Sequence, residues 1–333
     1  MAAVVLPLII CCLGTAVQAE DGAPLYLRNQ SPFLQIFGLP GPQGGILTPP
    51  GKLRASMNFA LANHADRATL PDESLVLDGE SYFLDTVLRY GLSDRWEIGV
   101  DLPYVAHSSG KFDNLIEGWH DLFSLSNSQR DGPSNTLEFD YQRQGSTVSR
   151  LDEAGGGIGD VRLSSAYRLR TGADDGPALA LRGMVKLPTG NENKLRGSGA
   201  TDIALSLEAT SRRSLAGRPL GLFAQGGALR LGDGQILADQ QKTTVPFGAF
   251  GLRWQWTENI DLRAQAAIQG SYYRSDLDAL GGTTSNLTLG GGIVLRGLGV
   301  KLDIAIIEDL ISDATPDFGM YLSVRRLAKG SQP

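Results

Sequence analysis

The sequence predicts an all-β fold: a transmembrane antiparallel β-barrel of about twelve strands, with short periplasmic turns and longer external loops. Three observations predict it. The first is strict alternation. In "GGGIGDVRLSSAYRLRTG" (155–172), Val161, Leu163, Tyr167 and Leu169 fall on one face, and Asp160, Arg162 and Arg168 on the other. Successive strand side chains point to opposite faces, so one face is apolar and the other charged. The second is rhythm. Alternating runs recur near 52–64, 74–90, 95–106, 158–170, 177–187, 200–211, 219–231, 245–256, 260–272, 285–296, 300–308 and 317–327. The connections between them are by turns short and long, as outer-membrane barrels require and soluble sandwiches do not. The third is aromatic placement. Trp96 and Tyr104 lie eight residues apart on one strand face, roughly 20 Å along the membrane normal for a tilted strand, near the height of the apolar band. Tyr82 and Tyr90 repeat the spacing, and Trp254 and Trp256 share a face beside a short turn. These six residues form the expected aromatic girdle.

The elements follow in chain order. Residues 1–19, "MAAVVLPLIICCLGTAVQA", read as a secretory signal peptide ending in an A-x-A-like site. No basic residue precedes the apolar run, which points to a start upstream. Cys11 and Cys12 are the two cysteines of the 333-residue chain, so the exported part is expected to lack disulfides and thiolate metal sites. Residues 20–51 are rich in Pro and Gly, which forbids a central strand. They are expected either in the periplasm or folded into a barrel mouth. Residues 52–327 form the barrel, and 328–333 a tail. Beyond residue 20 no apolar stretch reaches a helical span, so membrane insertion requires a closed barrel.

The connection 107–157 is the long external loop. Within it, "FDNLIEGWHDLFSLSN" (112–127) puts Leu115, Ile116, Trp119, Leu122 and Phe123 on one face of a short amphipathic helix. Trp119 and Phe123 are expected to form a constriction in the barrel mouth. The alternating stretch 136–151 would make a thirteenth strand and leave a terminus outside, so it is assigned to an external hairpin.

Several phrases carry a resemblance. "YGLSDRWEIGVDLPY" (90–104) resembles hairpins of Gram-negative outer-membrane barrels. "VKLPTGNENKLRGSGATDIALSL" (185–207) is similar to a loop of the same broad group, which includes phenol-pathway outer-membrane transport proteins. "LRNQSPFLQIFGLP" and "LIEGWHDLFSLSNSQRDGP" resemble, more narrowly, domain of unknown function 3187. The resemblance covers nearly the whole exported chain and implies an outer-membrane barrel with no assigned activity. The last strand resembles the signal read by the barrel-assembly machinery, with Asp317, Gly319, Leu322 and Val324 in its polar, glycine and apolar positions.

Function follows from the polar face. Charge facing lipid costs a few kcal/mol near the midplane, so the charged positions face inward. Arg89, Asp101, Asp160, Arg162 and Lys186 are the candidates for lumen lining. Lys52, Arg54, Asp85, Glu97, Arg168, Arg182, Asp202, Glu208, Arg253, Asp261, Arg263, Lys301, Asp303 and Arg325 extend the set. Both signs are interleaved, which argues against sharp anion or cation selectivity. The expected function is passive passage of small polar or amphipathic solutes, restricted by the 107–157 loop. The alternatives are a plugged structural or binding barrel and an outer-membrane lipid-modifying enzyme. The formal charge of −6 and the lack of a basic cluster exclude a nucleic-acid binder. His64, His107 and His120 read as loop histidines without a convergent nucleophile, so no catalytic residue, metal site or cofactor is expected. The expected surroundings are outer-membrane lipid in a Gram-negative cell.

Overall fold

The computed structural model describes residues 23–109, 136–172, 176–311 and 318–327. The long strands β1 (Leu53–Thr69), β2 (Glu73–Gly91) and β3 (Trp96–Ser108) open the barrel. A hairpin of β4 (Glu138–Arg143) and β5 (Ser146–Leu151) follows, paired onto the far end of β2. Then come β6 (Gly155–Ile158), β7 (Arg162–Thr171), β8 (Ala178–Lys186), β9 (Asp202–Leu215), β10 (Arg218–Arg230) and β11 (Thr244–Gln255). The wall ends with β12 (Ile260–Gln269), β13 (Thr284–Leu295), β14 (Val300–Ile311) and β15 (Phe318–Arg326).

All pairings between these strands are antiparallel. β1 pairs with β15 as well as β2, which closes a ring of twelve. β6 and β7 act as one barrel strand broken at 159–161, since both pair with β3. Pro103 of β3 faces the break and has no N–H to give the ladder. The Gly159 N–H donates to its carbonyl at 2.9 Å. The Thr189 hydroxyl takes the Val161 N–H at 2.9 Å and donates to the Gly159 carbonyl at 2.8 Å.

Alternation decides which face meets what. In β3 exposed and buried residues trade places along most of the strand. Leu163 and Leu169 are exposed, as are Ile203, Leu205, Leu207, Phe250 and Ile304 on other strands. A closed ladder with this apolar outer face is an outer-membrane β-barrel, because only closure satisfies every backbone group in lipid.

Two connections differ from the sequence expectation. The link between β1 and β2 spans only 70–72, because both strands continue past the expected loop 65–73 and carry the β4 hairpin. His64 and His107 lie on β1 and β3 rather than in loops. Residues 136–151 form the hairpin outside the ring.

The interior holds the N-terminal segment. Every residue from 25 to 42 is buried. Eight strands give a lumen that wall side chains can fill; twelve leave it wider. Here a separate stretch of chain occupies that space. It rises from Ala23 beside Arg263, turns over at Ser31–Phe37 near the long-loop mouth, and descends to Thr48 beside Glu97. Both of its ends therefore lie at the short-turn side. Glycine permits the closest approaches. A Cβ on Gly45 would meet the Glu208 carbonyl at 2.8 Å, and one on Gly38 would sit 2.9 Å from the Asp202 Cβ.

Candidate functional site

The site is the contact between the wall and the inner segment. Its lower part is polar. One guanidinium nitrogen of Arg28 donates to both carboxylate oxygens of Asp85, at 2.9 and 3.2 Å, a charge-assisted contact. The Tyr26 hydroxyl donates to Asp101 at 2.7 Å, and Asp101 also pairs with Arg89. Leu25 and the Gln265 amide exchange two hydrogen bonds, of 3.1 and 3.3 Å. The Thr48 N–H donates to Glu97 at 2.7 Å, and Glu97 pairs with Arg182 at 3.0 Å. Arg182 pairs in turn with Glu208 at 2.8 Å.

Higher up, Lys186 donates to Asp160 at 2.6 Å and to the Ile36 carbonyl at 3.2 Å. Arg162 donates to the Phe37 carbonyl at 3.4 Å. The Gly38 N–H donates to Asp202 at 2.8 Å. Asp160 also receives the N–H groups of Gly190 at 2.8 Å and Ser198 at 3.1 Å, which folds the loop after β8 over the mouth.

All five residues expected to line the lumen, Arg89, Asp101, Asp160, Arg162 and Lys186, are thus buried against the inner segment or against a residue that touches it. Of the wider set, Arg168 is half-buried and Lys52 exposed. Tyr90, Trp96, Tyr104 and Trp256 are exposed, while Tyr82 and Trp254 are half-buried. Trp119 and Phe123 lie outside the described residues, as does His120; among the described residues, it is the segment 23–48 that enters the lumen.

The mouth is closed by an apolar core. Phe33, Leu34, Ile36 and Phe37 of the inner segment pack with Phe139, Tyr141, Leu195, Leu237, Tyr272, Tyr273 and Leu277 from hairpin and loops. Phe37 stacks on Tyr272, ring centres 5.1 Å apart. The Tyr273 hydroxyl donates to the Phe33 carbonyl at 3.1 Å. Burial pushes both loop phenols above their ordinary range; Asp202 adds to the shift of Tyr272, and Tyr272 and Asp202 to that of Tyr273. Leu195, in the left-handed region at φ 49°, turns its carbonyl inward to accept from Gln35.

Sequence reasoning missed a second buried chain. Ser81 of β2 sits between His64 at 3.0 Å and His107 at 2.9 Å, and the edge of Phe139 covers both rings. Ser81, His64 and His107 are 0, 3 and 2% exposed, so this serine has no access to a substrate. The only signal was the cross-strand parity of three strands, visible once register is known. Among the described residues no group of three or more His, Cys, Asp or Glu could hold a metal ion.

The family profile described as "Protein of unknown function (DUF3187)" matches residues 1–326. The chain belongs to this family. No curated protein matches it in sequence. Among solved structures, this DUF3187 member is similar to the COG4313 outer-membrane channel from Pseudomonas putida F1. The two share 14% identity over 86% of this chain and 98% of that one, with a TM-score of 0.54. At that identity the likeness concerns the fold. The Pseudomonas putida toluene transporter TodX matches over 93% of this chain and 98% of its own, at 11% identity and a TM-score of 0.37.

Proposed function

We propose that the protein is a passive outer-membrane channel for small polar or amphipathic solutes, closed here by its own N-terminal segment. One observation carries the reading. The lumen is filled by a stretch of chain that forms no strand with the wall, although residues 25–42 are buried within it. Side chains of Asp85, Asp101, Lys186, Asp202 and Gln265 hold it instead. Such links, four of the five to charged groups, exchange for water at a net cost of about 1–3 kcal/mol each, while the wall ladder stays intact. Withdrawing the segment would expose a charged passage below and an aromatic mouth above. The P. putida protein that shares the fold is an outer-membrane channel, in agreement with this reading.

The second reading is a permanently plugged structural barrel. The apolar packing around Phe37 favours it, because that contact is not replaced by water.

Conductance of the natural chain against a chain lacking residues 25–42 separates the two. In planar bilayers the natural chain is expected to show discrete steps that open and close, and the shortened chain steps that stay open. Silence of the natural chain beside a conducting shortened chain, with insertion of both shown by heat-dependent gel mobility, would establish the plugged barrel.

A further inference from the structure

The charges are interleaved in sequence but unevenly distributed in space. On β11–β15, Arg253, Arg263, Lys301 and Arg325 gather around two carboxylates. Asp261 meets Arg253 at 3.0 Å, Arg263 at 2.7 Å and also Lys301. Asp303 meets Arg263 at 3.1 Å, Lys301 at 3.7 Å and Arg325 at 2.5 Å. Register sets like charges directly opposite one another at Arg253 and Arg263, at Lys301 and Arg325, and at Arg54 and Arg89 on β1 and β2. Such pairs are destabilising on their own. Gly292 makes room for the cluster, since a Cβ there would strike Asp303 and Lys301.

A cavity of about 60 Å³ lies beside it, between Ala23–Tyr26 and Pro42–Gly44 of the inner segment and the wall of β1, β14 and β15. That is room for roughly four water-sized groups. Arg54 and Arg325 line it together with Asp303, Ser56, Asn58, Tyr321 and Ser323, Arg325 being paired with Asp303 and Arg54 with Glu97 at 3.3 Å. Their side chains are 20 and 21% exposed, whereas that of Arg263 behind them is 3% exposed. Two guanidinium groups therefore reach an accessible polar cavity that a cationic cluster backs.

We propose that this cavity is a binding site for a small oxyanion, a carboxylate or an inorganic sulfate or phosphate, held between Arg54 and Arg325. Guanidinium forks match such oxygens in two-point geometry, and an added anion relieves the opposed cations. A metal cation would meet four cationic side chains set around only two carboxylates, Asp261 and Asp303. An apolar ligand would leave the polar lining unpaired. The site stands on this geometry; its role as the recognition step of a transport route rests on the channel reading.

The test is isothermal titration of the refolded exported chain in neutral detergent at low ionic strength, with sodium acetate and sodium sulfate as probes and sodium chloride as control. Saturable binding is expected for an oxyanion and not for chloride. Acetate alone would mark a carboxylate site and sulfate alone a tetrahedral-oxyanion site; either supports the proposal. Arg325→Gln and Arg54→Gln should each weaken binding about tenfold or more. Arg325→Lys keeps the charge without the fork and should lose less. Lys194→Gln, in a loop far along the chain from this wall, should change nothing. The proposal is overturned if the folded natural chain binds neither probe, or if Arg325→Gln binds as the natural chain does. Conductance is read separately. A silent barrel that binds oxyanion refutes the channel and keeps the site; a conducting barrel that binds none does the reverse.

Discussion

The two halves of the inner segment are held by different mixtures of forces. Around Phe33–Phe37 apolar packing dominates, with aromatic rings from the loops closing over it. Around Leu25–Arg28 and Gly45–Thr48 the apolar contacts of Leu25, Leu27 and Leu47 with the wall are joined by a denser set of ion pairs and hydrogen bonds to wall side chains. Apolar contact is non-directional and degrades gradually as a core is trimmed. A buried ion pair behaves otherwise: together its members contribute little net, but removing one strands the other in a poorly solvated place. The upper half resembles the core of a small soluble domain seated in the mouth. The lower half adds to its three buried leucines a set of matched polar positions that water can also satisfy.

Three perturbations sharpen or break this contrast, from the largest expected effect to the smallest. Asp261→Asn removes the carboxylate shared by Arg253, Arg263 and Lys301 and should cost about 3–5 kcal/mol. Denaturant unfolding from detergent, followed by Trp fluorescence, would measure it. A cost below that of trimming the mouth would break the contrast. Phe37→Ala leaves a hole beside Tyr272 and should cost about 3 kcal/mol, at the low end for a buried Phe because the mouth is made of loops. In bilayers the same variant should open more often, since the apolar half of the stopper is weakened. The smallest effect is alkaline. Burial disfavours the phenolates of Tyr272 and Tyr273, so their folded-state values lie above the ordinary 10.0. Their contribution is fully present below pH 10 and is lost as pH rises through the folded-state values, because the unfolded chain ionises first. The unfolding midpoint should therefore fall above pH 10, and fall less in Tyr272→Phe. An equal fall in that variant would place the alkaline sensitivity elsewhere.

The wall was legible from sequence because its rule is local. A residue such as Leu163 or Arg162 reveals its face by its neighbours alone, and twelve repeats of that rule make a ring. The first hairpin was misjudged for the same reason. Strands β1 and β2 continue beyond the membrane, where neither face meets lipid and the alternation fades at Asp66–Ala68. The site was much less legible. Arg28 meets Asp85 across 57 residues, and Leu25 meets Gln265 across 240. The prolines and glycines of residues 20–51 say only what this segment cannot be. That it lies inside follows from the lumen of a twelve-strand ring, a property of the whole wall. His64, Ser81 and His107 converge through register, which no single strand displays.

The closing seam of the ring joins β1 to β15, the first and last strands of the wall, with Ser56 opposite Arg325. Among the described residues, the segment that fills the ring precedes every wall strand in the chain. A ring closed empty would have to admit a folded-back loop through one end, whereas a ring closed around residues 23–48 needs only to shut. Arg28, Tyr26 and Gly38 have partners on β2, β3 and β9, Leu25 on β12 and the Tyr26 N–H on β15, so the occupant is tied to wall strands on both sides of the seam. The order of elements along the chain thus suits a cylinder wound around its own stopper.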